Sequence, residues 1–415
     1  MSAAELAAYA GAAEYVLLAD RDDGTVVRCG DVVAKAHAGD SDPDDLAVRI
    51  RVAGDPALAG VLLPPLRTGL GLVGSRPVSL WPYGAPVAPD RPEEAPWEPA
   101  AELLAALHRT PLHHLPYPLP PMRGPAKLAR ALHRLDAAHP PETPVAGGRA
   151  VQGRSAGAEA DDPSGARRGR PAGERPSDCG HDHGRDCTYG QGQGQGQGRD
   201  RDHGSSDRPT RAEAAAALPA GPSSGRADRA RRAVLSIPAG QAVPAGPAGT
   251  DADAAELARL VRAAAATLPG WARGEGPAPS GGALCHGDLH LGQLVRGPAG
   301  GWRLIDVDDL GLGTPAWDLA RPAAWYAAGL LDTGTWLRFL DAYRAAGGPA
   351  AGPPGSDPWP ELDLAARALT VQTAALALAK AAGERRRLDD VERLMVEACA
   401  RIASLPPDLE SKPPS

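Results

Sequence analysis

The first part of the chain alternates short apolar runs with turn residues. Glu14–Asp20 (EYVLLAD), Thr25–Cys29 (TVVRC) and Val32–His37 (VVAKAH) are runs of strand length, separated by Asp22-Asp23-Gly24 and Gly30-Asp31. Glycine after aspartate readily takes positive φ, so this spacing predicts an antiparallel meander. Residues 43–54 place Leu46, Ile50 and Ala53 at helical spacing behind Pro43, which predicts a helix. Short strands are then expected at 60–63, 70–73 and 76–81, the last closed by Pro82-Tyr83-Gly84, with a helix over 98–108.

From about 140 to 250 the periodicity stops. This stretch is rich in Gly, Arg, Asp, Ser and Pro and includes GQGQGQGQG at 190–198. Such a segment cannot bury enough surface to offset its ordering entropy and is expected to be disordered. Apolar periodicity returns at 251. Helices are expected over 252–268, 317–330, 333–346, 361–381 and 384–403, with strand pieces at 293–296 and 302–306 around a Gly-rich loop. The expected divisions are 1–84 (a sheet with one helix), 85–139 (a hinge and first helices), 140–250 (the insertion), 251–405 (the main helical part) and 406–415 (a disordered tail).

Composition sharpens this picture. The chain has 415 residues, with 50 glycines and 44 prolines against a hydrophobic share of 43%. That mixture fits an ordered protein interrupted by low complexity. The net charge of −7 excludes the broad basic field of a general nucleic-acid binder, so no specific nucleic acid is expected. No membrane span and no secretory leader are expected, and five scattered cysteines form no disulfide framework. A cytoplasmic protein is the default expectation. The 44 basic residues include four lysines: Lys35, Lys127, Lys380 and Lys412.

The densest polar cluster is Leu284 to Leu294 (LCHGDLHLGQL), followed by Ile305-Asp306-Val307-Asp308-Asp309 and Pro315-Ala316-Trp317-Asp318-Leu319-Ala320. Phosphoryl transfer requires a carboxylate to orient the attacking hydroxyl, oxygen ligands for Mg²⁺ and a cation on the phosphates. Asp288 suits the first need, Gln293 and Asp306 the second, and Lys35 the third. Lys35 also has a plainer reading as a charge on a strand that resists aggregation. His290 suits either ligand contact or loop packing. Asp308 and Asp309 suit either the site or solvent. Cys179, His181, His183 and Cys187 have the look of a metal cluster but lie in the low-complexity stretch. The aromatics at 317, 325, 326, 336 and 343 read first as core and second as pocket lining.

The motifs from His286 to Ala320 resemble those of the aminoglycoside phosphotransferase and choline kinase-like family, and HGDLHLGQ is similar to the loop of bacterial maltokinases. The resemblance implies a protein-kinase-like two-lobed α+β fold, with an antiparallel β-rich N-lobe and a mainly helical C-lobe. It further implies ATP and Mg²⁺ as cofactors and a small-molecule hydroxyl as acceptor: a sugar, an aminoglycoside or an amino alcohol. Asp288 is then the catalytic aspartate, and Gln293 and Asp306 are the metal ligands. His286 supports the loop, Asp318 lies beneath it, and Lys35 contacts the phosphates. Residues 20–31 match the phosphate-covering hairpin and 79–84 the adenine hinge. Two departures stand out. Gln293 replaces the usual Asn, and LAVRIRVAG at 46–54 has no acid to pair with Lys35. They leave open an alternative, a nucleotide-binding pseudokinase whose insert recruits a partner. A protein kinase fits less well, because the stretch between Asp306 and Ala320 leaves no room for an activation segment.

Overall fold

The structure is a computed structural model that describes residues 1–21, 24–88, 91–115, 118–141, 251–279 and 282–405. The expected insertion, its cysteine–histidine cluster, the Asp22-Asp23 turn and the C-terminal tail lie outside the described residues, apart from 140–141.

The N-lobe is a five-stranded antiparallel sheet of order β1-β2-β3-β5-β4. Its strands are β1 (Val16–Arg21), β2 (Gly24–Cys29), β3 (Val32–His37), β4 (Gly71–Val73) and β5 (Arg76–Pro82). The meander and the two later strands are those the run pattern predicts. Two elements differ. A short helix, α1 (Ala3–Tyr9), precedes the sheet, capped by a Ser2–Glu5 capping box. It is only two turns long, too short for a periodic signal. Residues 60–63 form a turn with a single bridge from Leu62 to Leu304 instead of a strand. Leu6 and Ala7 pack beneath Val27, Ala34, Ala36, Val78 and Leu80. Full burial of Leu6 contributes roughly 1.5–3 kcal/mol.

Helix α2 (Pro43–Ala53) begins at Asp42, whose carboxylate accepts from the N–H groups of Asp44 and Asp45. Its buried face carries Leu46, Ile50 and Val52 into a core shared with the C-lobe. Arg49 is buried as well. Its Nε donates to Leu310 O at 2.8 Å and its Nη2 to Pro121 O at 3.3 Å, which ties α2 to the other lobe.

The C-lobe is built from α3 (Trp97–His108), α4 (Gly124–Ala138), α5 (Asp251–Ala266), α6 (Ala320–Ala327), α7 (Thr333–Ala345), α8 (Trp359–Glu384) and α9 (Asp390–Ala403). Helix α8 is central and packs on α4, α5, α6 and α9. By length and composition it is also apolar enough to cross a membrane, with mean hydropathy 1.3, but 67% of that window is buried inside the fold. Two small sheets frame the cleft: β6 (Ala85–Pro86) with β8 (Leu294–Arg296) and β9 (Trp302–Leu304), and β7 (Ala283–Cys285) with β10 (Gly311–Gly313). The strand expected to run to 306 ends at Leu304, because Asp306 turns the backbone at φ 65°. The result is a two-lobed α+β layout, with the antiparallel sheet lobe and mainly helical lobe that the motifs implied. Trp336 and Tyr343 are core residues, as the helical spacing suggested, whereas Trp317 is partly exposed.

Candidate active site

The loop from Cys285 to Gln293 is held from below by Asp318. This buried carboxylate accepts the backbone N–H groups of His286 (2.6 Å) and Gly287 (2.7 Å) and the Nε2–H of His108 (2.9 Å). His108 reaches Tyr343 Oη through its other ring nitrogen at 2.8 Å. Burial alone would raise the pKa of Asp318. The hydrogen bond and charge of His108 reverse this and hold it below the ordinary carboxylate value. Cys285 lies close to His108 and Asp318, and the three could in principle face one metal ion. Both His108 nitrogens are already engaged, however, and burial and then Asp318 push the Cys285 thiol well above its ordinary value. The trio therefore reads as a structural hub.

Gly287 lies at φ 84°, and a Cβ there would sit 2.4 Å from Asp309 O, so the middle position of His286-Gly287-Asp288 admits only glycine. His286 Nε2 donates to Ile305 O at 2.8 Å, joining this loop to the one that carries Asp306.

Asp288 emerges above this base between two cations. Lys127 Nζ of α4 is 2.8 Å from Oδ2, and Arg321 Nη2 of α6 is 2.9 Å from Oδ1. Burial would raise the pKa of Asp288, but Lys127 and Arg321 more than compensate and hold it far below the usual range. The group is therefore a carboxylate at any neutral pH. Lys127 also bonds Asp309 Oδ2 at 2.9 Å, and Arg123 Nε stands 3.6 Å from Asp309 Oδ1. His290 accepts the N–H of Gly292 at Nδ1 and so caps a short turn. Burial and then Arg321 lower its pKa to about 4.

The second cluster crosses between the lobes. Lys35 Nζ of β3 lies 2.6 Å from Asp306 Oδ1 and 3.1 Å from Asp308 Oδ1. Burial would lower the pKa of Lys35, but the two aspartates raise it. Its partners thus lie in the C-lobe, and the missing helix acid is replaced. Asp45, early on α2, instead stands 3.5 Å from Arg49. Asp308 also contacts His37 Nδ1 at 3.0 Å, and His37 Nε2 is 2.7 Å from Ser79 Oγ. Gln293 Nε2 donates to Asp306 Oδ2 at 3.0 Å. The amide oxygen of Gln293 and the carboxylate of Asp306 are hard donors of the kind Mg²⁺ prefers, although here the amide nitrogen is the atom that faces Asp306.

All six residues singled out in the sequence thus gather at the cleft: Lys35, His286, Asp288, Gln293, Asp306 and Asp318. Sequence reasoning missed Arg321, His108, His37 and Arg123, and singled out Lys127 only through the scarcity of lysine. Asp308 and Asp309 prove to be ion-paired rather than merely solvated.

Residues 209–364 match the model of the phosphotransferase enzyme family. No curated protein matches the sequence. Among solved structures the chain is similar to a choline kinase from Streptococcus pneumoniae, with 11% identity and a TM-score of 0.44 over 97% of this chain and 98% of that one. It is also similar to a choline/ethanolamine kinase family protein from Mesorhizobium loti, with 15% identity and a TM-score of 0.42 over 96% and 97%. A thermostable mutant of an aminoglycoside phosphotransferase shows 12% identity and a TM-score of 0.46 over 96% and 97%. The family match contains the whole run from His286 to Ala320, so the motif-bearing part of the chain is similar to the phosphotransferase enzyme family.

Proposed function

We propose that the protein transfers the γ-phosphoryl group of ATP to a hydroxyl of a small molecule, with Asp288 orienting that hydroxyl and accepting its proton. One observation carries this reading. Asp288 is an ionised carboxylate clamped between Lys127 and Arg321, on a loop whose backbone is anchored by the buried Asp318. Phosphoryl transfer depends mainly on positioning and charge, and a carboxylate held this way meets the first requirement before substrate arrives. Lys35 reaches into the cleft from the sheet and would move from Asp306 and Asp308 to the nucleotide phosphates. Gln293 and Asp306 would hold Mg²⁺, which when bound supplies charge neutralisation on the phosphates. The maltokinase-like loop HGDLHLGQ favours a sugar among the acceptors the family resemblance allows.

The test is ATP consumption across sugars, amino alcohols and aminoglycosides by the full chain and by Asp288→Asn. The substitution should lower transfer by roughly 10²–10⁴-fold with ATP affinity little changed. Undiminished transfer would remove Asp288 from the mechanism. ATP binding by the unaltered protein with no turnover on any acceptor would favour the pseudokinase alternative.

A further inference from the structure

Beside Asp288 the C-lobe carries a shallow recess open to solvent. It is walled by Lys127 of α4, Trp317 and Arg321 around the start of α6, and Leu369 and Gln372 of α8. Three properties of this lining bear on what it accepts.

The first is charge. The lining holds two cations and one carboxylate, Asp288, and both cations are bonded to it. The recess therefore offers no uncompensated negative charge, and an ammonium group entering it would approach Lys127 and Arg321 without an acid of its own. The second is Gln372. The residue is only 7% exposed, and its amide makes no side-chain hydrogen bond among the described residues. Its amide lines the recess beside Asp288 and stays accessible to solvent there. An amide offers both a donor and an acceptor, which is the complement of a hydroxyl. The third is the partly exposed indole of Trp317. Gly124 allows α4 to approach it closely, since a Cβ there would lie 2.9 Å from Trp317 Cε3. An indole face beside polar groups suits the C–H face of a hydroxylated ring.

Resting on the assignment of Asp288 as the group that orients the acceptor, we propose that this recess binds the non-reacting part of the acceptor and selects hydroxylated molecules that carry no positive charge. Gln372 is the specificity-determining residue that bonds their hydroxyls, while Lys127 and Arg321 disfavour amines. This separates the acceptor from the cationic aminoglycosides and amino alcohols that the family resemblance leaves open.

The experiment measures equilibrium binding to the full-length protein, saturated with Mg²⁺ and a non-hydrolysable ATP analogue. The probes are matched pairs: glucose against glucosamine, and 1,2-propanediol against 1-amino-2-propanol, at a pH where each amine is protonated. The uncharged member should bind at least ten-fold more tightly, equivalent to about 1.4 kcal/mol. Gln372→Leu should weaken the uncharged member about ten-fold, and Gln372→Glu should narrow or invert the ratio within each pair; retained ATP-analogue binding reports that each variant is folded. Tighter or equal binding of the amines, no binding of either uncharged probe, or an unaltered ratio in folded Gln372→Glu would each overturn the proposal. If Asp288→Asn abolishes transfer while amines are preferred, only the acceptor assignment fails. If Asp288→Asn leaves transfer intact, the underlying catalytic reading fails whatever the ratio.

Discussion

The two ionic clusters at the cleft are built in opposite ways. Around Asp288 every partner comes from the C-lobe: Lys127 on α4, Arg321 on α6, and Asp318 beneath the loop. Around Asp306 the charged partner is Lys35, 271 residues away in sequence and in the other lobe, beside the nearby amide of Gln293. The first cluster is preformed within one packed unit. The second joins two units, and the side chain of Asp306 is 36% exposed against 15% for Lys35. Ion pairs that bridge lobes at a partly open cleft can be exchanged for a ligand, whereas a pair inside one lobe holds its geometry through that exchange. Under the proposed function, positioning would fall to the Asp288 side and nucleotide response to the Asp306 side.

The largest expected effect breaks the preformed side at its root. Asp318→Ala removes the acceptor for three N–H groups, two backbone and one from His108, with His286 and His108 buried and Gly287 partly buried. It should cost about 3–5 kcal/mol in urea unfolding and abolish transfer. Asp318→Asn, which keeps the shape, should recover part of the stability. A loss under about 1 kcal/mol for the alanine variant would show that the hub is not structural.

Next is the lobe-crossing side. Lys35→Met leaves Asp306 and Asp308 without their shared cation. Charged hydrogen bonds of this kind contribute about 1.5–3 kcal/mol, and partial exposure places the expected loss at the lower end. ATP affinity should fall ten-fold or more while binding of an acceptor alone is preserved. Equal loss of both affinities would contradict the division of labour between the clusters.

A gentler perturbation is acid. Asp288, Asp306, Asp308 and Asp318 all titrate below their ordinary value of 3.8 in the folded protein. The unfolded chain therefore takes up protons first as the pH falls, and the stability from these groups is fully present above 3.8 and lost below it. His290 adds an earlier, shallower decline. Its unfolded form protonates near 6.5 and its folded form only near about 4. Urea midpoints should thus fall slowly below about pH 6.5 and steeply below about pH 4. A midpoint unchanged across that range would refute the assignment of charge to the two clusters.

The smallest effect is a control from outside the cleft. Arg338 pairs with Glu98 at 2.8 Å, but both side chains are well exposed. Arg338→Ala should change stability by no more than about 0.5 kcal/mol and leave transfer unaltered. A larger change would show that surface pairs matter as much here as the cleft pairs.

Legibility in the sequence followed the range of each interaction. The meander of β1–β3 and helices α2, α3 and α5–α9 were readable because their apolar spacing is local, whereas α4 was not placed. Helix α1 and the three-residue strands β7 and β10 were not, since segments so short carry no period. At the site, His286, Asp288, Gln293, Asp306 and Asp318 sit within one continuous stretch and could be read as a set. Lys35 could be placed by its strand, but its partners could not. The expectation looked for an acid on α2, and the structure supplies Asp306 and Asp308 instead, while the buried Arg49 of α2 bonds the backbone of the opposite lobe.

The amino-acid sequence by itself determined the lobe order, the helical and strand periods, and the identity of the carboxylates at the cleft. These depend on spacing along the chain and on the chemistry of each residue type. Only the tertiary structure decided which cations meet which carboxylates. Lys127 reaches Asp288 and Asp309, and Arg321 reaches Asp288, because α4 and α6 pack on either side of the loop; neither helix carries a local pattern that announces it. Gln372 is a similar case, an ordinary helical glutamine until the packing of α8 sets it in the lining of the recess beside Asp288. Contacts of this kind are set by the packing of whole elements, and no window along the chain contains them.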